Sequence, residues 1–261
     1  MRILMLAGAL ILLAACGQSQ GGDNRVYLEE FDQGNGGWYA DRISPLPVWD
    51  GVAYCHGPWF LDPNHAPPGA GYLHLVMWLF TDSRMYQIPR VLERVPYTNN
   101  SFVEQGYGTR FTNARLTVRI RGEVDARGAQ LLLLAQAKTD KTTANMVLSG
   151  QPFKVSREWS EQTVTLVPDP EQWTCLGSRH DATEQYGCDD IARVLEDVNL
   201  DIIFVWFPLD VVPLCGDVAN LHIPRAGEDY PVDRDRLPEG LVMFDFVKIE
   251  FPEPSPSSGP R

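Results

Sequence analysis

From Tyr72 to Phe80 the side chains alternate in kind. Leu73, Leu75, Met77 and Leu79 fall on one parity, and Tyr72, His74, Val76, Trp78 and Phe80 on the other. A period of two marks a β-strand, and its aliphatic side predicts a face turned to the core. The other side carries rings where a solvent-facing strand usually carries Thr, Ser, Lys or Glu, so it predicts either a covering segment of chain or a bound ligand. Ahead of it, Asp62 to Gly71 holds three prolines and two glycines, which predicts a loop.

The same alternation recurs along the chain. Arg115 to Arg121 places Leu116, Val118 and Ile120 inward, with Arg115, Thr117, Arg119 and Arg121 outward; those arginines are expected to pair with carboxylates in so acidic a chain. Ala129 to Lys138 predicts the next strand, with Gln136 and Lys138 extending a polar, basic surface that would line one groove with the aromatic side of Tyr72–Phe80. Leu200 to Pro208 is apolar on both parities, as a central buried strand is. Helical spacing appears once, over Asp189 to Val198, where an acidic cap precedes Ile191, Val194, Leu195 and Val198. Trp38, Trp159 and Trp206, lying beside strand patterns, are assigned to the core.

Composition narrows the class. Twenty prolines and 22 glycines break short β-branched and aromatic runs, which predicts an all-β domain rich in turns. The 34 acidic against 22 basic residues give a net charge of -12, which excludes a phosphate-backbone binder, so no nucleic-acid partner is expected.

The first residues read as a targeting segment. Arg2 is followed by an apolar run to Leu13, too short to span a bilayer, and Leu13-Ala14-Ala15-Cys16 resembles the lipobox of bacterial lipoproteins. That resemblance implies a signal peptide over residues 1–15, lipidation of Cys16 and a cell-envelope location. Gly17 at the sorting position favours the outer membrane. Each buried methylene of an acyl chain would contribute about 0.8 kcal/mol to membrane anchoring. Residues 16–24 then form a flexible tether of roughly 15 Å, 25–251 a single domain, and 252–261 a Pro/Ser-rich tail expected to be disordered.

Without Cys16, four cysteines remain, and export favours two disulfides. Three pairings are possible; Cys175 with Cys188 and Cys55 with Cys215 are favoured, the first as a local clamp and the second as a long-range staple.

Val26 to Phe31, then Asp32-Gln33-Gly34 and Gly37-Trp38, resembles the opening of galactose-binding-like β-sandwich domains, a superfamily that includes many carbohydrate-binding modules. Glu158 to Leu166 resembles their mid-domain strand, and Phe244 to Phe251 their closing strand. The excursions Ala40–Pro68 and Thr174–Asp190 depart from that pattern. The resemblance implies an all-β jelly-roll sandwich with one short helix and long loops. It also implies a structural calcium held by Glu30, Asp32 and Asp245 with a carbonyl near Gly34; carboxylates and carbonyls are the donors calcium takes.

For a carbohydrate ligand, aromatic rings supply an apolar floor while Arg, Asn and Gln fix hydroxyls. Trp59, His65, Tyr72, His74 and Trp78, with Arg119 alongside, are the expected binding residues. No catalytic residue is assigned: His56, His65 and His74 lack zinc spacing, and no nucleophile elbow is present. The expectation is a lipid-anchored, non-catalytic glycan-binding protein of the envelope. The alternatives are a glycan-cleaving lyase or hydrolase using His65 and His74, and an envelope-assembly lipoprotein whose aromatic face docks a protein partner.

Overall fold

A computed structural model of the chain describes residues 25–40, 44–62, 72–88, 99–177, 186–210 and 234–253, with the backbone alone described for residues 60–62, Tyr72 and Arg234. Cys16, His65 and Cys215 lie outside the described residues, as do the targeting segment and most of the tail. Among the described residues no helix is long and apolar enough to cross a membrane.

The molecule is a β-sandwich of two sheets, the fold class that turn-rich composition and alternation predicted. One sheet comprises β1 (Val26–Glu29), β4 (Val48–Trp49), β5 (Val52–His56), β8 (Arg115–Asp125), β11 (Ser160–Thr165) and β15 (Glu239–Glu250). Its order is β11-β8-β15-β5-β4, and β1 also pairs with β15. The other sheet is built on β7 (Tyr72–Phe80), β9 (Gln130–Lys138), β10 (Thr143–Val147) and β14 (Asp201–Leu209). Short strands flank these four: β2 (Tyr39–Ala40), β3 (Ser44–Pro45), β6 (Phe60–Asp62), β12 (Thr174–Cys175) and β13 (Tyr186–Gly187). Ala40–Pro68 is therefore not a plain excursion; β2 to β6 lie within or at the start of it. All pairings are antiparallel except β10 with β13.

The inner faces of the two sheets meet in one core. Leu116, Val118 and Ile120 of β8 and Val242, Phe244, Val247 and Ile249 of β15 face Leu131, Leu133, Ile202 and Phe204 from the other sheet. Phe204 sits at the centre, with the rings of Phe244, Phe153 and Trp38 at 5.1, 5.6 and 6.0 Å. Two short helices, α1 (Ser101–Glu104) and α2 (Ile191–Glu196), complete the described helical turns together with brief 3-10 segments. The α2 prediction holds: the Asp190 side chain accepts from the Ala192 N–H, and Ile191, Val194, Leu195 and Val198 are buried.

β7 spans the residues its pattern predicted, but its two faces are not those the parity implied. β14 pairs Phe204 with Met77 and Val205 with Leu75, so Val76 is an extra residue that forms a β-bulge. Beyond the bulge the alternation reverses. Leu73, Leu75, Trp78 and Phe80 pack in an outer cluster, while Val76, Met77 and Leu79 join the central core. Both faces are buried, as a central strand of this width requires.

Cys175 and Cys188 form the expected disulfide, with Cα atoms 5.8 Å apart, and clip together two short strands that both pair with β10. The expected partnership of Cys55 with Cys215 is not formed. Cys55 lies on the inward side of β5, a free thiol fully buried among apolar side chains, and that burial pushes its pKa far up. At the edge of the six-stranded sheet the opening and closing strands meet: Val26 stands opposite Glu250, the Phe251 N–H donates to the Arg25 carbonyl, and Arg25 pairs with Glu253 at 2.7 Å.

Candidate functional site

The structure separates the residues expected to share one groove. Arg119 belongs to the six-stranded sheet and Tyr72–Phe80 to the other, so their outer surfaces face away from each other. Ala129–Lys138 likewise lies in the second sheet, not beside Arg115–Arg121. Trp78 is 6% exposed, stacked on Tyr39 at 4.7 Å and edge-on to Phe80 at 4.8 Å, with Tyr86 closing over Phe80. These rings form a packed apolar layer, not an open platform.

His74 and Trp59 are internal as well. The His74 ring sits 6.3 Å from Trp59, and Trp59 sits 5.6 Å from Trp206. The His74 nitrogens and both indole N–H groups lack hydrogen-bond partners, a small polar cluster enclosed by the sandwich. Burial pushes the His74 pKa down to about 4, so the imidazole is neutral at physiological pH. Among the described residues no carboxylate hydrogen-bonds to either ring nitrogen.

Of the acids expected to hold calcium, two line one cleft and the third is paired with an arginine. Glu30 and Asp32 line an open cleft of about 750 Å³ with Gln33, Asn35, Asn99 and Gln105. Asp245 instead accepts from Arg119 Nη1 at 2.7 Å on the outer face of the six-stranded sheet. Among the described residues no three His, Cys, Asp or Glu side chains gather to hold a metal ion. The carboxylate that the cleft buries is Glu29, whose two oxygens accept from the Phe31 N–H and the Ser101 hydroxyl. Desolvation, offset in part by those hydrogen bonds, raises its pKa.

A different surface carries the features that sequence reasoning placed on β7. Along β5 and β15 the outward positions are Tyr54 and Met243, which pair with each other, and Met243 in turn pairs with Arg121 of β8. Trp159 immediately precedes the Ser160–Ile120 pair, and Arg121 lies over its ring at 4.7 Å, with Arg119 at 5.3 Å. Tyr54, Met243, Arg121 and Trp159 thus form one row across four strands, about 14 Å at about 4.8 Å per interstrand step. Trp159 is half-buried on this outer face, not in the core as expected; Trp38 and Trp206 are in the core.

The row is extended at its β5 end by Trp49. β4 and β5 form a two-residue hairpin, and Asp50 and Gly51 both take positive φ, 52° and 70°, the geometry of a tight type I′ turn. That turn holds Trp49 at the sheet's edge, 74% exposed and tilted against Tyr54 at 6.5 Å. Among the described residues it is the one Phe, Tyr or Trp ring left so largely in water. A second bulge, at Asp245, turns that carboxylate and Phe246 toward the same face.

No family model matches the chain, and no curated protein matches it. Among solved structures, the chain is similar to one solved in connection with the endo-acting O-glycanases that prominent members of the human gut microbiota express to initiate mucin breakdown; identity is 11%, coverage 87% of this chain and 99% of that one, and the TM-score 0.35. It is also similar to the CBM2 module of the evolved Dit of Lactobacillus casei BL23 phage J-1, at 10% identity, 86% and 94% coverage and a TM-score of 0.30. A third is the L4b domain of human laminin alpha-2, at 8% identity, 71% and 81% coverage and a TM-score of 0.29.

Proposed function

We propose that this protein binds carbohydrate, without cleaving it, through the outer face of its six-stranded sheet. The observation that carries this is Trp49: an indole about three-quarters exposed (74%), set by a tight turn at one end of the row Tyr54, Met243, Arg121 and Trp159. Rings of this kind stack on the C–H faces of sugars, while Arg119 and Arg121 and the Asp245 carboxylate offer directional hydrogen bonds to hydroxyls. The length of the row suits several sugar units in line.

The same reading places the domain at the cell envelope, tethered through a lipid on Cys16. Radiolabelled palmitate incorporated into the wild type and absent from Cys16→Ser supports the anchor; equal labelling of both removes it.

The binding role is tested on a glycan array with the full chain, its Trp49→Ala variant and a Trp49→Ala/Trp159→Ala double variant. Loss of signal in the single variant and its abolition in the double, with unchanged circular dichroism, is the expected result. Undiminished binding by the double variant assigns recognition to another surface.

A further inference from the structure

We infer that the glycan recognised by this face is acidic, and that Arg121 receives its negatively charged group. This rests on the outer face being the carbohydrate surface.

The outward arginines of β8 differ in one respect. Arg115 has Glu250 at 3.7 Å, and Arg119 has Asp245 at 2.7 Å. Arg121, between Arg119 and Glu123 on the same side of the strand, makes no ion pair among the described residues, and its Nε–H is buried without an acceptor. In a chain with 34 acids to 22 basic residues, a guanidinium left without a carboxylate is the unusual outcome. The acids near it are already committed. Glu123 pairs with Arg157 and Asp245 with Arg119, while the neighbours across the sheet are Met243 and Trp159.

Arg121 is also held in place without an anion. Its guanidinium lies over the Trp159 ring at 4.7 Å, so cation–π attraction fixes the fork before any ligand arrives. A planar fork of N–H donors on an aromatic floor matches a carboxylate or sulfate on a stacked sugar. The net charge of -12 does not oppose this at contact range, because charges are screened over about 8 Å at physiological ionic strength. The shared chemistry is an anionic oxygen group; its two sources, a uronic carboxylate and a sulfate ester, separate in the test.

The full chain is run in affinity electrophoresis against two matched pairs: polygalacturonate with its methyl ester, and κ-carrageenan with its chemically desulfated form. The expected result is retardation at least tenfold stronger by the charged member of one pair, and which pair identifies the source. Arg121→Gln should bring the charged member down to the level of its neutral partner, and Arg121→Lys, which keeps the charge but not the fork, should fall between them. Equal retardation by charged and neutral members, unchanged in Arg121→Gln, overturns the inference while leaving the aromatic surface in place, provided Trp49→Ala still weakens both. No retardation by any of the four overturns both. Capture of an acidic protein segment in place of every glycan does so too.

Discussion

His74 and Trp78, four residues apart on β7, point into opposite layers of the molecule: His74 inward against Trp59, Trp78 outward against Tyr39. Val76, the extra residue in the register with β14, separates them. In an unbroken strand they would share a face, and the single aromatic face drawn from alternation depends on that.

Trp78 and Trp49 should therefore respond to truncation in opposite ways. Trp78→Ala opens a cavity in a packed ring cluster and is expected to cost about 3–5 kcal/mol. Trp49→Ala removes a ring that is mostly in water, and its stability should stay within about 0.5 kcal/mol of the wild type. Urea unfolding of the two variants side by side measures both, and a marginal loss for Trp78→Ala would contradict its burial.

His74 makes stability depend on pH in a defined direction. Its folded pKa is pushed down to about 4 against an ordinary value of 6.5, so between those limits the unfolded chain binds the additional proton. Stability is retained above about pH 6.5 and lost as the pH falls toward 4, by on the order of 3 kcal/mol. His74→Phe should flatten that slope. Denaturation midpoints at pH 7.5, 6, 5 and 4.5 test it.

Glu29 acts with the opposite sign. Because burial raises its folded pKa, its contribution is complete below the ordinary carboxyl range and is lost as the pH rises through the folded value. Glutamine at this position can still accept from the Phe31 N–H, and the Ser101 hydroxyl keeps the Gly36 carbonyl as a partner. Glu29→Gln is thus expected to raise the melting temperature at pH 7 and to lose that advantage at pH 4. A lower melting temperature at pH 7 would show that the ionised carboxylate is the stabilising form.

Reduction of the Cys175–Cys188 bridge should release two short strands from β10 rather than unfold the sandwich. The chain-entropy model puts the cost at roughly 3 kcal/mol for a loop of this size. Melting the Cys175→Ser/Cys188→Ser variant beside the wild type measures it, with the signal from the central core still cooperative.

What the sequence made legible follows from where the periodicity was long. β7, β8, β9 and β14 each run nine residues or more, and their existence is plain from alternation or from an unbroken apolar run. α2 was legible through Asp190 and its spacing. The faces of β7 were not, because a bulge is set by the count of residues on the partner strand, which β7 does not encode. Trp49 sits on a two-residue strand between prolines and a turn, too short for any period to show. Its signal was the Asp50-Gly51 pair, a hairpin dipeptide flanked by Val48-Trp49 and Val52-Ala53. Trp159 was assigned to the core because it adjoins a strand; one step of parity places it over the opposite surface, beside Arg121.

β1 and β15 lie side by side, with Val26 opposite Glu250. Whatever precedes Arg25 and whatever follows Glu253 therefore depart from one corner of the sandwich. Chain ends this close are what circular permutation and insertion into a host loop require. Joined by a short linker and reopened at the turn that carries the chain from β8 in one sheet to β9 in the other, around Arg127 and Gly128, the domain should refold with its sheet order intact. It is equally suited to be carried as a guest within another protein, entering and leaving through a single doorway.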